Sequence, residues 1–255
     1  MLNFSSMSSQ SWLGRMLKQF LQRWIPRDAV LPIIHGPARG MKWLVSSSVY
    51  SCWLGSYEFK QQQTILKYLK PGMVAFDIGA HVGFYTLMFS KIVGLSGKVY
   101  AFEPLPDNYR ILQKHLNLNS ITNVITEPVA VSNKDDEVLF YISHNTYMGN
   151  IVNNTEEIMK SIYVYSISID QYIDIKNKNY PNFVKMDVEG AEALALTGMK
   201  KLLQAKKPIL FISLHNKEVA KECAMLLKGY NYTMLDLEGK SIDIHKVNAG
   251  EIIAL

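Results

Sequence analysis

Acidic and glycine residues with a spacing suited to ligand binding occur in VAFDIGAHVGFYTLMF, residues 74–89. Asp77 follows a short apolar run, Gly79 and Gly83 come next, and an apolar helical pattern continues after them. Glycines at a strand-to-helix turn let the backbone approach a ligand closely, and the helix N-terminus offers free N–H groups and a positive dipole end. The turn therefore predicts a ligand with a carboxylate, and Asp77 is expected to orient an ammonium or a sulfonium-bearing chain.

A second acidic residue, Glu103, lies in the run VYAFEP and ends the second predicted strand, 20 residues after Gly83. An acid at that place can accept hydrogen bonds from both hydroxyls of a ribose. A dinucleotide site needs G-x-G-x-x-G, but His81 and Phe84 replace its second and third glycines. Asp77, the two glycines and Glu103 therefore predict a nucleoside that carries an amino acid, a description that fits S-adenosylmethionine. The alternative is a packing turn with a surface glutamate.

The candidates for catalysis are Asp187, Glu189 and His215, in the stretches MDVEG and SLHN. They follow two predicted strands, and neighbouring strands lie about 4.8 Å apart, so the three side chains can converge. His215 suits a base at neutral pH, and Asp187 either orients it or removes the proton itself. An alternative makes the three residues ligands of a divalent metal. A further alternative leaves Glu189, like Glu192, as a carboxylate that interacts with a helix dipole, and His215 without chemistry.

The elements that position these residues alternate regularly from residue 59 onward. Predicted helices and strands follow one another, with one strand over 123–132, an antiparallel excursion over 137–167 and one helix over 191–206. Such alternation predicts an α/β fold with a mostly parallel, doubly wound sheet.

Residues 1–58 are expected to form a separate N-terminal cap, with the main domain at 59–255. Residues 11–25 have an amphipathic helical pattern, typical either of a helix packed on the core or of a peripheral membrane contact. Tyr57 and Glu58 precede the next helix and are candidates for the substrate side. So is Asn145 in the Asn-rich loop 143–155, which is either a lid or a plain connection.

Composition excludes some classes of protein. The chain has 255 residues, a net charge of +5 and two cysteines. Because the basic surplus is small and scattered, no nucleic-acid partner is expected. Two distant thiols give no disulfide framework, so a cytoplasmic location is the default. No apolar run is long enough for a membrane span.

The chain resembles the FkbM family of class I S-adenosylmethionine-dependent methyltransferases. The residues that carry the resemblance are FDIGAHVGFYT (76–86), VYAFEPLPDNYRILQKHLNLN (99–119), AVS (130–132) and FVKMDVEGAEALALTGM (183–199), with WLGSYE (53–58) upstream. The chain departs from many members at His81, where they have Asn, and at ISLHN (212–216), where they have Glu.

The resemblance implies a Rossmann-like seven-stranded sheet with helices on both faces. It also implies methyl transfer, usually to a hydroxyl oxygen of a small molecule or saccharide. The expected cofactor-binding residues are Asp77, Gly79, Ala80, His81, Gly83, Phe84, Tyr85, Glu103, Pro104 and Ala130. Rival functions are a nucleic-acid base methyltransferase, against which the Asp187-Val188-Glu189-Gly190 sequence argues, and a non-catalytic nucleoside-binding module.

Overall fold

The computed structural model describes residues 25–26, 28–143, 149–150, 158–176 and 179–255. Within these ranges the strands are β1 (Val30–Pro32), β2 (Lys42–Leu44), β3 (Val74–Ile78), β4 (Lys98–Phe102), β5 (Val124–Glu127), β6 (Ala130–Val131), β7 (Asp136–Ser143), β8 (Gly149–Asn150), β9 (Ile158–Ile167), β10 (Phe183–Met186), β11 (Ile209–Leu214), β12 (Met234–Leu235) and β13 (Gly250–Ala254). The α-helices are α1 (Tyr50–Leu54), α2 (Phe59–Tyr68), α3 (Phe84–Val93), α4 (Pro106–Leu118), α5 (Ile169–Lys176), α6 (Glu192–Thr197), α7 (Lys200–Ala205) and α8 (Lys217–Gly229), and a 3₁₀ helix spans Val45–Ser47.

The main sheet has seven strands in the order β12–β13–β11–β10–β3–β4–β5. The five strands from β11 to β5 run parallel, and β13 is antiparallel to both of its neighbours. The predicted mostly parallel, doubly wound sheet is therefore confirmed. The chain moves outward from β3 through β4 to β5 and returns to β10 on the other side of β3. The strand order thus reverses between β3 and β10, where ligands bind in open α/β sheets.

Both faces of the sheet are covered by helices, as predicted. Within β3, Ala75 packs with residues of α2, α3 and α4, whereas Phe76 and Ile78 pack on the opposite face with residues of α5 to α8. A strand that is covered on both faces has a nearly continuous run of apolar residues. Phe76 is completely buried, and such burial stabilises the fold by about 1.5–3 kcal/mol.

A second sheet of four strands, in the order β6–β9–β7–β8, interrupts the alternation. Strands β7 and β9 pair antiparallel, which confirms the predicted excursion. The single strand predicted over 123–132 is wrong, because β5 belongs to the main sheet and β6 pairs with β9. Pro128 lies between them and cannot donate to a strand ladder, so the chain changes sheets there.

The single helix predicted over 191–206 is also divided, into α6 and α7. Gly198 lies between them, and a Cβ added to it would be 1.9 Å from the carbonyl oxygen of Ser132. Met199 is fully buried. Close packing of Gly198 against the segment after β6 therefore divides the helix, although the helical pattern of the sequence continues.

The described residues before β3 pack on the face of the sheet that carries α3. Strands β1 and β2 form an antiparallel pair. Trp43 in β2 is fully buried and stacks on His115 of α4, with ring centroids 4.0 Å apart. Trp43 and Trp53 share one apolar cluster with α3 and β3. The predicted helix over 11–25 lies outside the described residues, apart from its last residue.

Candidate active site

The turn after β3 forms the centre of the site. Gly79 has a φ of +78°, and a Cβ there would lie 1.9 Å from the carbonyl oxygen of Asp187. The N–H groups of Gly79 and Ala80 donate to the carbonyl oxygen of Phe102, at 3.0 and 2.9 Å. The turn is therefore fixed between the ends of β4 and β10. Gly83, with a φ of +94°, starts α3 against Leu112.

A cleft opens at this turn and contains about 980 Å³ of free space, including the part open to solvent. The predicted site residues that line the cleft are Tyr57, Gly79, Ala80, His81, Phe84, Tyr85, Glu103, Pro104, Ala130, Asp187 and Glu189. Four others are not among the described residues that line it: Glu58, Asp77, Gly83 and His215. Asn145 lies outside the described residues.

Glu103 is buried and fixed by the protein. Its Oε2 accepts the His81 N–H at 2.8 Å, and its Oε1 accepts the N–H of Leu105 at 3.0 Å and the amide of Asn108 at 3.2 Å. Burial raises the pKa of Glu103 to about 7, although these hydrogen bonds lower it. A carboxylate has about four acceptor directions, so Oε2 keeps one for a ligand hydroxyl.

Asp77 does not face the cleft. It is fully buried, and its Oδ2 accepts the hydroxyl of Thr86 at 2.6 Å. Lys185, its register partner on β10, holds its Nζ 4.0 Å from Asp77 Oδ1. Burial raises the pKa of Asp77, while the Lys185 charge and the Thr86 hydrogen bond lower it. In this geometry Asp77 positions Lys185 and α3, and its direct contact with a cofactor stays a prediction.

The three catalytic candidates do converge. His215 Nε2 lies 3.3 Å from Asp187 Oδ1 and 3.2 Å from Glu189 Oε2. Asp187 follows β10 directly, and His215 follows its parallel neighbour β11. Glu189 has a φ of +53°, which few residues other than glycine adopt. This turn directs its side chain back toward the strand ends.

Buried charges surround the three residues and set their protonation. Burial lowers the pKa of His215, but its hydrogen bond with Glu192 and the charges of Glu189, Glu192 and Asp187 outweigh it and raise the pKa to about 9. Burial raises the pKa of Asp187, but the charges of Lys185 and His215 outweigh it and lower the pKa. Burial raises the pKa of Glu189. In the protein alone, His215 therefore carries a proton at neutral pH.

Sequence reasoning missed Lys185 and the main contact of Glu192. Lys185 is 3% exposed, and its Nζ lies 3.2 Å from Asp187 Oδ2 and 4.9 Å from the ring centre of Tyr85. Glu192 was assigned to the helix dipole, but it is fully buried and its Oε1 lies 2.7 Å from His215 Nδ1. The lysine within the apolar run FVKM was a sequence signal for a buried charge. The contact between Glu192 and His215 is visible only in the folded structure.

Tyr57 and Glu58 lie where the sequence placed them, before α2. Tyr57 lines the cleft and packs edge-on against Phe84, with ring centroids 5.5 Å apart. Glu58 instead accepts the hydroxyl of Tyr85 at 2.7 Å. Tyr57 is therefore open to a ligand, and Glu58 orients a ring of the wall. In the described part of the chain, no helix has the length and apolar character needed to cross a bilayer.

Comparison with known proteins gives matches among methyltransferases. The Methyltransferase FkbM domain matches residues 77–234. Hexuronic acid methyltransferase AglP of Haloferax volcanii is 29% identical over 154 residues, which are 60% of this chain and 61% of AglP. The chain therefore spans less than two thirds of that relative.

Solved structures to which the chain has some similarity include methyltransferase FkbM from Methylobacillus flagellatus, with a TM-score of 0.49, 15% identity and coverage of 99% of this chain and 62% of that one. They also include Aeropyrum pernix fibrillarin with S-adenosyl-L-methionine, with a TM-score of 0.46, 13% identity and coverage of 74% and 68%. The domain match spans more than half of the sequence, and the chain belongs to the FkbM methyltransferase family.

Proposed function

We propose that the chain transfers a methyl group from S-adenosylmethionine to a hydroxyl oxygen of a saccharide. Besides family membership, one observation carries the proposal: Glu103 and the pair Asp187 and Glu189 line the same cleft. The Gly79 turn lies between them, bonded to the end of β4 and packed on the carbonyl of Asp187. One molecule in the cleft can therefore contact an acid suited to a ribose while a second molecule contacts the carboxylates.

The residues of the cleft fit the proposed cofactor. Glu103 Oε2 keeps an acceptor direction for a ribose hydroxyl. Apolar side chains beside it, among them Phe102, Leu105 and Val131, line the cleft and offer a surface for the base. The absence of a Cβ at Gly79 leaves room for the backbone to approach a ligand closely.

When bound, S-adenosylmethionine supplies an electrophilic methyl carbon, which bonds to the acceptor oxygen while the electrons of the broken carbon–sulfur bond stay on sulfur. The acceptor hydroxyl must also lose its proton. Glu189 is the proton acceptor in this proposal because it lines the cleft, whereas His215 is not among the residues that line it in the described part of the chain. Within the described residues, no hydrogen bond occupies Glu189 Oε1, and its Oε2 contacts His215.

The saccharide acceptor is proposed from the named relative, whose name refers to a hexuronic acid. A cleft with aromatic Tyr57 and Phe84 next to carboxylates has the character of a sugar site, since rings cover the apolar face of a sugar and carboxylates accept from its hydroxyls. The family and the cleft support a methyl transfer, and the name of the relative supports the class of acceptor.

The test uses methyl-labelled S-adenosylmethionine with hexuronic-acid glycans, neutral glycans and nucleic acid. We expect labelled saccharide whose label resists mild alkali, as an ether does. Glu189→Gln should lower turnover by about 100-fold or more without weakening S-adenosylhomocysteine binding, and the exposed Glu137→Gln is the matched control. Label on nucleic acid, an alkali-labile methyl ester, or failure to bind S-adenosylhomocysteine would each contradict the proposal.

A further inference from the structure

Three donor atoms from two neighbouring strand ends converge at the edge of the cleft. Asp187 Oδ1, Glu189 Oε2 and His215 Nε2 all lie within 4.8 Å of one another, and the two contacts of the imidazole nitrogen are 3.3 and 3.2 Å. Ligands that share a divalent ion at about 2.0–2.2 Å are separated by similar distances. The three side chains come from two neighbouring strand ends, so the sheet holds them together.

A buried carboxylate fixes the direction of the imidazole. Glu192 is fully buried, and its Oε1 lies 2.7 Å from His215 Nδ1 and accepts the Gly190 N–H at 3.0 Å. His215 Nδ1 therefore carries the hydrogen, and the second nitrogen, Nε2, points at two carboxylate oxygens. A histidine that binds a metal characteristically donates its other N–H to a carboxylate in this way.

The arrangement holds more negative than positive charge. Glu192 Oε2 is buried without a hydrogen-bond partner among the described residues. Lys185 is the neighbouring buried cation, and its Nζ binds the other oxygen of Asp187, Oδ2, at 3.2 Å. Lysine therefore leaves Asp187 Oδ1 free to act as a single-oxygen ligand, and the position between Oδ1, Glu189 and His215 favours a positive charge.

We propose that Asp187, Glu189 and His215 bind a divalent cation of the Mn²⁺ or Mg²⁺ class, with Glu192 as the positioning residue of the histidine. Two carboxylate oxygens and one imidazole nitrogen supply three ligands, and oxygen-rich sites suit these ions. Asp187 and Glu189 line the cleft, so an ion held there would be accessible to water and to acceptor oxygens.

The cation site depends on geometry alone, whereas its role depends on the proposed methyl transfer. A hydroxyl bound to such an ion becomes more acidic and is held in one orientation. Glu189 has one oxygen free of the ion and would accept the proton of that hydroxyl. The same residues thus serve both to hold the acceptor and to remove its proton.

The test measures Mn²⁺ binding to chelator-treated full-length protein by calorimetry and electron paramagnetic resonance. We expect one Mn²⁺ per chain, with a nitrogen coupling from the imidazole in the spin-echo spectrum. His215→Gln should remove that coupling and stoichiometric binding. Glu192→Gln should weaken binding by about 10–100-fold, while Glu137→Gln binds as wild type. Circular dichroism verifies that each variant is folded.

Two outcomes overturn the site: wild type that binds no Mn²⁺, and binding or nitrogen coupling that persists in folded His215→Gln. A measurement of methyl transfer distinguishes failure of the cation site from failure of the proposed function. Full methyl transfer in chelator together with absent Mn²⁺ binding would reject only the site. Stoichiometric Mn²⁺ binding without transfer to any acceptor would reject the proposed function and leave the site in place.

Discussion

Asp77 and Glu103 belong to neighbouring strand ends, but their surroundings give them different tasks. Both are buried, and burial raises the pKa of each. Glu103 lines the cleft, whereas Asp77 faces Lys185, which is 108 positions later in the chain. Sequence spacing could identify both positions as acids at strand ends. It could not show where each points, because the partner that turns Asp77 away is provided by β10.

The raised pKa of Glu103 predicts a cofactor affinity that depends on pH. A ribose hydroxyl donates to the ionised carboxylate, so binding favours loss of the proton. Affinity for S-adenosylhomocysteine should therefore increase as the pH rises from 6 to 8, through the pKa of about 7. Glu103→Gln should bind about tenfold or more weakly, because a charged hydrogen bond contributes about 1.5–3 kcal/mol, and should lose this pH dependence. Calorimetry at several pH values measures both effects, and an unchanged pH profile in the variant would contradict the assignment.

At the scale of elements, the Gly79 turn is defined by close contact as well as by conformation. Gly79→Ala should destabilise the protein by about 3 kcal/mol or more, since the new Cβ would overlap the carbonyl oxygen of Asp187 at 1.9 Å. Gly40 has a similar φ of +86° and no heavy atom within 4 Å of an added Cβ. Gly40→Ala is therefore the matched control and should cost only about 1–2 kcal/mol of conformational strain. Urea unfolding measures the loss of unfolding free energy in each variant. Equal losses in Gly79→Ala and Gly40→Ala would show that backbone conformation alone requires glycine at position 79.

The pairing of β3 with β10 contains a buried ion pair that also contacts the site. Lys185→Met leaves Asp77 buried without its cation, which should lower the free energy of unfolding by about 3 kcal/mol or more. Asp77→Asn combined with Lys185→Met should recover part of that loss, because the uncompensated charge is removed. Chemical unfolding of both single variants and the double variant measures the coupling. Additive losses would mean that the two side chains, whose charged atoms are 4.0 Å apart, do not stabilise each other.

Elements with one clear periodicity were predictable, and those shaped by distant contacts were not. The alternation from residue 59 onward gave the parallel sheet, and the antiparallel excursion was also correct. The strand over 123–132 was divided at Pro128, where the chain changes sheets, and the helix over 191–206 was divided by the close packing of Gly198 on Ser132. The short helix α1 (Tyr50–Leu54) was not predicted, and Gly55, the residue that follows it, has a φ of +77°. Five residues hold too little periodic signal to be distinguished from a loop.

For the whole molecule, the sequence could predict which strand ends carry acids but not how their charges balance. Asp187, Glu189 and His215 were placed together correctly, since parallel strands end at one edge of a sheet. The buried Lys185 and the Glu192–His215 contact decide the protonation of that group. Both depend on the register between β3, β10 and β11, which no local pattern reveals. The same limit applies to His115, which no local pattern singles out.

His115 predicts how the stability of the whole protein responds to acid. It is fully buried. Its Nδ1 donates to the Val82 carbonyl oxygen at 2.7 Å, and its Nε2 accepts the Leu44 N–H at 3.1 Å, so both nitrogens are satisfied in the neutral form. Burial lowers its pKa from 6.5 to about 4, although the Val82 hydrogen bond acts against this change.

Because the folded pKa lies below the unfolded one, the unfolded chain binds the proton first. His115 therefore contributes stability above pH 6.5 and loses it as the pH falls toward 4, with a total of about 3 kcal/mol. His115→Gln should be less stable at pH 8, where it loses the stacking on Trp43, but should show a shallower decline in acid. Urea unfolding of both proteins at pH values from 8 to 4 measures the difference. Parallel curves would mean that another group controls the acid sensitivity, and a steeper curve for the variant would reverse the sign of the proposed linkage.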